Sequence, residues 1–268
     1  MECVEIHERL HMLRFPVGQA YLWRDGDALT LIDTGPPGSG EQIERAIRSL
    51  GHAPGALRRI VLTHFHEDHA GSAAELAARL RAPVLAHRAD APVVRGEVAP
   101  PAPDFSEARE WERTLFEHQT AAYGLSADHP VLPSAPACPV DQELTDGDVL
   151  DFGGGAWVVH VPGHTDGSIA LHLPAHRTLF TGDTVARTDA AVAAFHGTAQ
   201  EDAGRAAAEE GASSSGVILG PFNTHRARAV ASLGRLSGLE AETLCFGHGS
   251  PVVGQGVKAL YEAAALYS

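Results

Sequence analysis

Apolar and polar residues alternate from Gln19 to Arg24 and again from Ala28 to Ile32, on either side of Asp25-Gly26-Asp27. Alternation with a period of two around such a turn predicts a β-hairpin, so the opening of the chain reads as β-rich. From Ser39 to Leu50 the period lengthens. Ile43, Ala46, Ile47 and Leu50 share one helical face, and Gly51 stands where a helix would stop. Arg59-Ile60-Val61-Leu62-Thr63 is a short apolar run entering a polar cluster, and Ala70 to Leu80 is rich in helix formers. The cluster is therefore expected at a strand-to-helix turn.

Between Ala91 and Val140 the texture changes, with Pro92, Pro100, Pro101, Pro103, Pro130, Pro133, Pro136 and Pro139 bracketing one helical stretch from Ser106 to Tyr123. The segment 91–140 reads as a Pro-rich helical insertion or lid within one domain. Trp111, Leu115, Gln119 and Ala122 fall on one face with Phe116 and Tyr123 beside them, while Glu107, Arg109, Glu110, Glu112 and Arg113 are expected in solvent. Core packing is the leading expectation for that stripe. A substrate lid or dimer contact is the alternative.

Strand patterns resume from Val149 to Thr181, as Ala156 to Val161, Ser168 to Leu173 and Thr178 to Thr181. Phe222 to Leu236 reads as a helix, Thr243 to Phe246 as a strand, and Val257 to Tyr267 as a terminal helix. Two β-rich halves, each ending in helices, suggest a single α/β domain over residues 1–268, built as a four-layer αββα sandwich with the sheets inside.

Composition narrows the function. With 268 residues, 44% of them apolar and 20% charged, the chain can bury a substantial core and is not disordered as a whole. A formal charge of -14, from 20 Lys and Arg against 34 Asp and Glu, would repel a phosphate backbone and argues against nucleic acid as a partner. The first nine residues are acidic where an export signal needs basic ones, and no spanning apolar run occurs, so a cytoplasmic protein without membrane insertion is expected. Cys3, Cys138 and Cys245 are far apart and form no C-x-x-C pair, which leaves no thiolate zinc motif.

Sixteen histidines are the compositional oddity, and their positions matter more than their number. The turn after Thr63 reads His64-Phe65-His66-Glu67-Asp68-His69, which puts three imidazoles and ligand-spaced carboxylate within six residues. Imidazole nitrogen and carboxylate oxygen suit zinc, and also iron or manganese. Such density at a strand end is hard to explain by packing.

At this point the chain resembles the metallo-β-lactamase superfamily, the glyoxalase II-like and lactonase-like metallo-hydrolases whose signature is H-x-H-x-D-H. Further elements follow in the family's order: Ile32-Asp33-Thr34-Gly35 early, then Val161-Pro162-Gly163-His164-Thr165, Thr181-Gly182-Asp183-Thr184 and Gly247-His248-Gly249. The resemblance implies the metallo-β-lactamase fold and a binuclear site. His64, His66 and His164 would hold one metal, Asp68, His69 and His248 the second, and Asp183 would bridge them. Two zinc ions are the first expectation, with iron or manganese as alternatives. Asp33 would sit behind the ligands, orienting an imidazole.

The same resemblance implies a hydroxide between the metals that attacks a carbonyl carbon, with Asp68 accepting or relaying a proton. The substrate would be a small molecule: an ester, a thioester or a lactone. Nineteen residues follow Gly249, too few for the helical domain of glyoxalase II, which disfavours glutathione thioesters. Lactonases of this group place a tyrosine soon after the bridging aspartate, whereas Thr184-Val185-Ala186-Arg187 follows here. Arg187 is a candidate for an oxyanion or a substrate carboxylate, and Trp111, Phe116, Tyr123 and Phe195 are candidates to line an acyl pocket. Persulfide dioxygenases of the superfamily, with one iron and similar histidines, keep an oxidoreductase alternative open, as does a non-catalytic metal-binding interaction protein. A homodimer through the insertion is a further expectation.

Overall fold

A computed structural model describes residues 1–121, 126–128, 130, 133–189, 205 and 213–267, with Gln119 described in its backbone only. The fold is mixed α/β with several sheets and flanking helices. The chain divides into two compact units, one of Met1–Pro100 with Pro133–His160 and one of Pro101–Leu132 with Val161–Ser268. The segment 91–140 is thus shared out: its two ends belong to the first unit and its middle to the second.

The first unit carries a seven-stranded sheet in sequence order. Its strands are β1 (Glu2–His7), β2 (Leu10–Arg14), β3 (Gln19–Asp25), β4 (Ala28–Ile32), β5 (Leu57–Val61), β6 (Val84–His87) and β7 (Gln142–Leu144). The first four pair antiparallel and the last three add in parallel. The expected hairpin is β3–β4, closing with Asp25 opposite Ala28. Sequence alternation does not reveal β1, because every one of its residues is exposed or half-buried.

Helix α1 (Gly40–Ser49) buries Ile43, Ala46 and Ile47, and Gly51 closes it at a φ of 83°, a value that only glycine adopts freely. The helix expected over 70–80 forms as two pieces, α2 (Glu67–Ala70) and α3 (Ala73–Leu80). The break falls at Gly71-Ser72, where a Cβ on Gly71 would lie 2.3 Å from the Glu67 carbonyl oxygen and 2.5 Å from Pro37. Leu31, Ile43, Ile60, Leu62, Leu76 and Val84 sit in one buried cluster, so helix and strand faces meet in a single core. A short helix α4 (Ala91–Val94) and the hairpin of β8 (Val149–Leu150) with β9 (Ala156–His160) complete the unit.

His87, at the end of β6, is buried and stacks on His160 with ring centroids 4.0 Å apart. Burial, then the His160 imidazole and the Arg88 charge, push His87 down to about 4. A histidine in the unfolded chain takes up its proton near pH 6.5, at about its ordinary value. The native state therefore holds the neutral ring, and stability falls as pH drops from about 6.5 towards about 4. Urea denaturation at pH 7 and pH 4.5 should show the wild type losing on the order of 1–2 kcal/mol more than His87→Phe. Equal losses would remove His87 from the acid response.

In the second unit, β10 (Ile169–Leu173) pairs antiparallel with β11 (Thr178–Gly182), which pairs parallel with β14 (Thr243–Phe246). All three are buried along their length, as a strand covered on both faces must be. A separate two-stranded sheet pairs β12 (Val185–Arg187) antiparallel with β13 (Val217–Leu219). Among the described residues the unit's α-helices are α5 (Glu110–Thr120), α6 (Arg226–Leu236) and α7 (Gly256–Ala265).

Two sequence expectations change here. The helix expected from Phe222 starts only at Arg226, because Phe222 has a φ of 62° and the His225 side chain caps the helix by accepting from the Arg228 N–H. Glu112, expected in solvent, is buried on α5 and accepts from Arg226 Nη1 at 2.7 and 2.9 Å. Burial lifts its carboxyl above the usual range, and the guanidinium opposes that only in part. Helical periodicity places Glu112 off the apolar stripe but cannot show that another helix covers it. The stripe itself packs: Trp111, Leu115 and Phe116 are all buried.

Candidate metal centre

In the first unit the H-x-H-x-D-H segment leaves β5 and enters α2. His64 and His69 are buried, while His66 and Asp68 are partly open. Nε2 of His64 faces Nδ1 of His66 at 3.0 Å, and Nε2 of His69 lies 3.5 Å from Asp68 Oδ2. Each pair brings two donor atoms to one point, as a metal ligand pair requires.

Asp33 holds this turn from behind. Its Oδ1 accepts from the Thr63 N–H at 2.7 Å, and its Oδ2 accepts from Thr63 Oγ1 at 2.8 Å and faces His69 Nδ1 at 2.9 Å. Thr63 Oγ1 lies 3.0 Å from His64 Nδ1. One buried carboxylate thus engages the Nδ1 side of His69 directly and that of His64 through Thr63, which leaves both Nε2 atoms for a ligand. Asp33 itself takes a φ of 60°, a conformation that Asp tolerates better than most residues. The next residues lock the turn: Thr34 donates to the His69 carbonyl from both its N–H and its hydroxyl, at 2.7 and 2.8 Å. Burial, then the Asp68 charge, raises the neighbouring Glu67 carboxyl.

In the second unit Asp183 follows β11, with His164 in the turn before β10 and His248 after β14. A single Asp183 oxygen, Oδ2, lies 3.6 Å from His164 Nε2 and 3.2 Å from His248 Nε2. His164 Nδ1 donates to the Pro221 carbonyl at 3.1 Å, which again leaves Nε2 as the outward atom. The backbone under Asp183 is crowded, for a Cβ at Gly220 would lie 1.7 Å from the Asp183 carbonyl oxygen.

Arg187, on β12, donates its N–H to the His248 carbonyl at 3.3 Å. Its Nε is buried without a hydrogen-bond partner among the described residues, and Asp189 Oδ1 lies 4.0 Å from it. Of the acyl-pocket candidates, Phe116 packs against Phe105 and Phe222 and Trp111 is buried, while Tyr123 and Phe195 lie outside the described residues. Sequence reasoning did not single out Thr63, Gly220 or Pro221. The Thr63 hydroxyl acts only through its neighbours, Gly220 has no side chain, and the Pro221 contribution is a backbone carbonyl that no side-chain pattern reports.

Comparison with known proteins shows the family. A family model described as the metallo-beta-lactamase superfamily matches residues 13–248. The chain is 27% identical over 258 residues to "Probable metallo-hydrolase YflN" of Bacillus subtilis, covering 94% of this chain and 88% of that protein. It is 35% identical over 127 residues to "Acyl-coenzyme A thioesterase MBLAC2" of Gallus gallus, covering 47% of this chain and 40% of that one. Among solved structures, that of TTHA1623 in a di-iron-bound form superposes with a TM-score of 0.57 at 26% identity, covering 92% of this chain and 95% of that chain.

Proposed function

The chain is a metallo-hydrolase of the metallo-beta-lactamase superfamily, and from that premise we propose that it uses two divalent cations to hydrolyse a small acyl substrate, with thioesters first. His64, His66 and His164 would hold one cation, Asp68, His69 and His248 would hold the other, and Asp183 would contribute to both. The observation that carries this reading is the single Asp183 oxygen facing two imidazole nitrogens, the arrangement a bridging ligand needs. Imidazole and carboxylate donors without thiolate suit zinc, and also iron or manganese. Bound there, the cations supply a water nucleophile at neutral pH and polarise the substrate carbonyl.

The chain's own residues do the rest. Asp68, whose side chain is 25% exposed, takes up the proton released when water is activated and returns it to the leaving group. Asp33 and Thr63 fix the rings of His69 and His64 and thereby keep the site preorganised. Arg187, whose Nε finds no hydrogen-bond partner among the described residues, supplies a cation for a substrate carboxylate or a developing oxyanion. The relative named as an acyl-coenzyme A thioesterase favours thioesters. Among the described residues no helix is long and apolar enough to cross a membrane.

Metal analysis of protein purified without added metal, followed by a panel of acyl-coenzyme A thioesters, aryl esters and acyl lactones, tests this reading. The expected result is two metal ions per chain and hydrolysis that a chelator abolishes and zinc restores. One iron per chain with oxygen consumption, or hydrolysis untouched by the chelator, would overturn it.

A further inference from the structure

The loop of residues 220–225 joins β13 to α6 and wraps the turn that carries His164. Pro221 offers its carbonyl to His164 Nδ1 at 3.1 Å. Thr224 donates its N–H to the His164 carbonyl at 3.1 Å, and His225 donates its N–H to the Gly163 carbonyl at 2.9 Å. The residue after Pro221 is strained, because Phe222 adopts a φ of 62°, a region that large side chains avoid. Such a conformation persists only where surrounding packing over-determines it.

That packing comes from the segment around α5. The Phe222 ring meets Phe116 edge-on at 5.5 Å between centroids and lies 6.1 Å from Phe105. The Asn223 carbonyl accepts from the Asp104 N–H at 2.9 Å. Beyond the loop, Arg226 places Nη1 2.7 and 2.9 Å from the two oxygens of Glu112, with the paired side chains only 14% and 4% exposed. A buried ion pair is a costly way to dock a helix, since desolvation offsets much of the attraction. What it supplies is a fixed geometry, and the geometry fixed here is that of the loop.

We propose that α5 is a positioning device for His164: it clamps the 220–226 segment through Phe222 and Arg226, so that the Pro221 carbonyl holds the imidazole with its proton on Nδ1 and presents Nε2 towards Asp183. Phe222, Glu112 and Arg226 are positioning residues that act through Pro221. The consequence for metal binding rests on His164 being a ligand, as proposed above. Mutating residues that orient a ligand in this way typically costs about 10–100-fold in metal affinity.

Two readouts on the full chain test this. In metal-free protein with nitrogen-15-labelled histidine, NMR reports whether His164 carries a protected Nδ1–H. Zinc titration against a chromophoric chelator then resolves the two affinities. The wild type and Phe222→Tyr should show the protected Nδ1–H. Phe222→Ala and Glu112→Ala should lose it and weaken one zinc affinity by about 10–100-fold, with the other within about twofold. Should Phe222→Ala fail to fold, Glu112→Ala decides. Retention of the Nδ1–H and of both affinities in the variants would overturn the inference, as would an equal fall in both, which marks general loosening. A wild type that takes up no zinc contradicts the function proposed above, and the Nδ1–H signal alone then decides this inference.

Discussion

Asp68→Ala should lower kcat/KM for whichever substrate of the panel the wild type hydrolyses fastest by about 10²-fold or more, because it removes both a proposed ligand of the second cation and the proposed acid–base group. The reason is local. Asp68 lies at the start of α2 with Oδ2 3.5 Å from His69 Nε2, and its carboxylate is the one in the H-x-H-x-D-H segment that combines a ligand position with partial exposure. The backbone around it is held by Thr34 and His69, so in metal-free protein the variant should keep its far-ultraviolet circular dichroism and its thermal midpoint. Loss of turnover with an intact fold is the signature to look for in steady-state kinetics. A loss smaller than about tenfold would place Asp68 outside the reacting groups.

Gly220→Ala is expected to have a large structural effect. The added Cβ would lie 1.7 Å from the Asp183 carbonyl oxygen and 2.8 Å from its carbonyl carbon, both backbone atoms with no side-chain rotamer to give way. The Gly220 N–H also donates to the Thr184 carbonyl at 3.0 Å, so the two segments cannot separate without losing that bond. We expect a loss of about 3 kcal/mol or more in chemical denaturation, the upper end of overpacking costs, together with lost metal uptake as Asp183 is displaced. Gly234 is the control: it lies inside α6 with nothing within 4 Å of an added Cβ. Alanine there should stabilise by roughly 0.5–1 kcal/mol. Equal effects at the two glycines would show that the close approach at Gly220 has no energetic weight.

Much of this was readable along the chain, for reasons that differ from element to element. Helix α1 is legible because Ile43, Ala46 and Ile47 repeat at helical spacing on a face that is in fact buried, and the hairpin β3–β4 because Gly26 stands in its turn. The residues proposed as metal ligands are legible because imidazoles and carboxylates packed into short motifs are chemically unusual. Strand β1 is not, since its pairing with β2 is backbone hydrogen bonding and its side chains bury little. Glu112 reads as a solvated residue because its cover is an arginine 114 positions away. The support of His164 by Pro221 is invisible for a related reason: a carbonyl belongs to every residue, and only the path of the chain decides which one reaches the imidazole. Local pattern reports local structure and reactive side chains, and long-range burial and backbone acceptors lie beyond it.

Anomalous diffraction from crystals of the metal-loaded protein tests the central claim most directly. The expected map has two peaks per chain, one ligated by His64, His66 and His164, the other by Asp68, His69 and His248, with Asp183 bound to both. A single peak, or peaks that leave His164 and His248 without a metal, would contradict it.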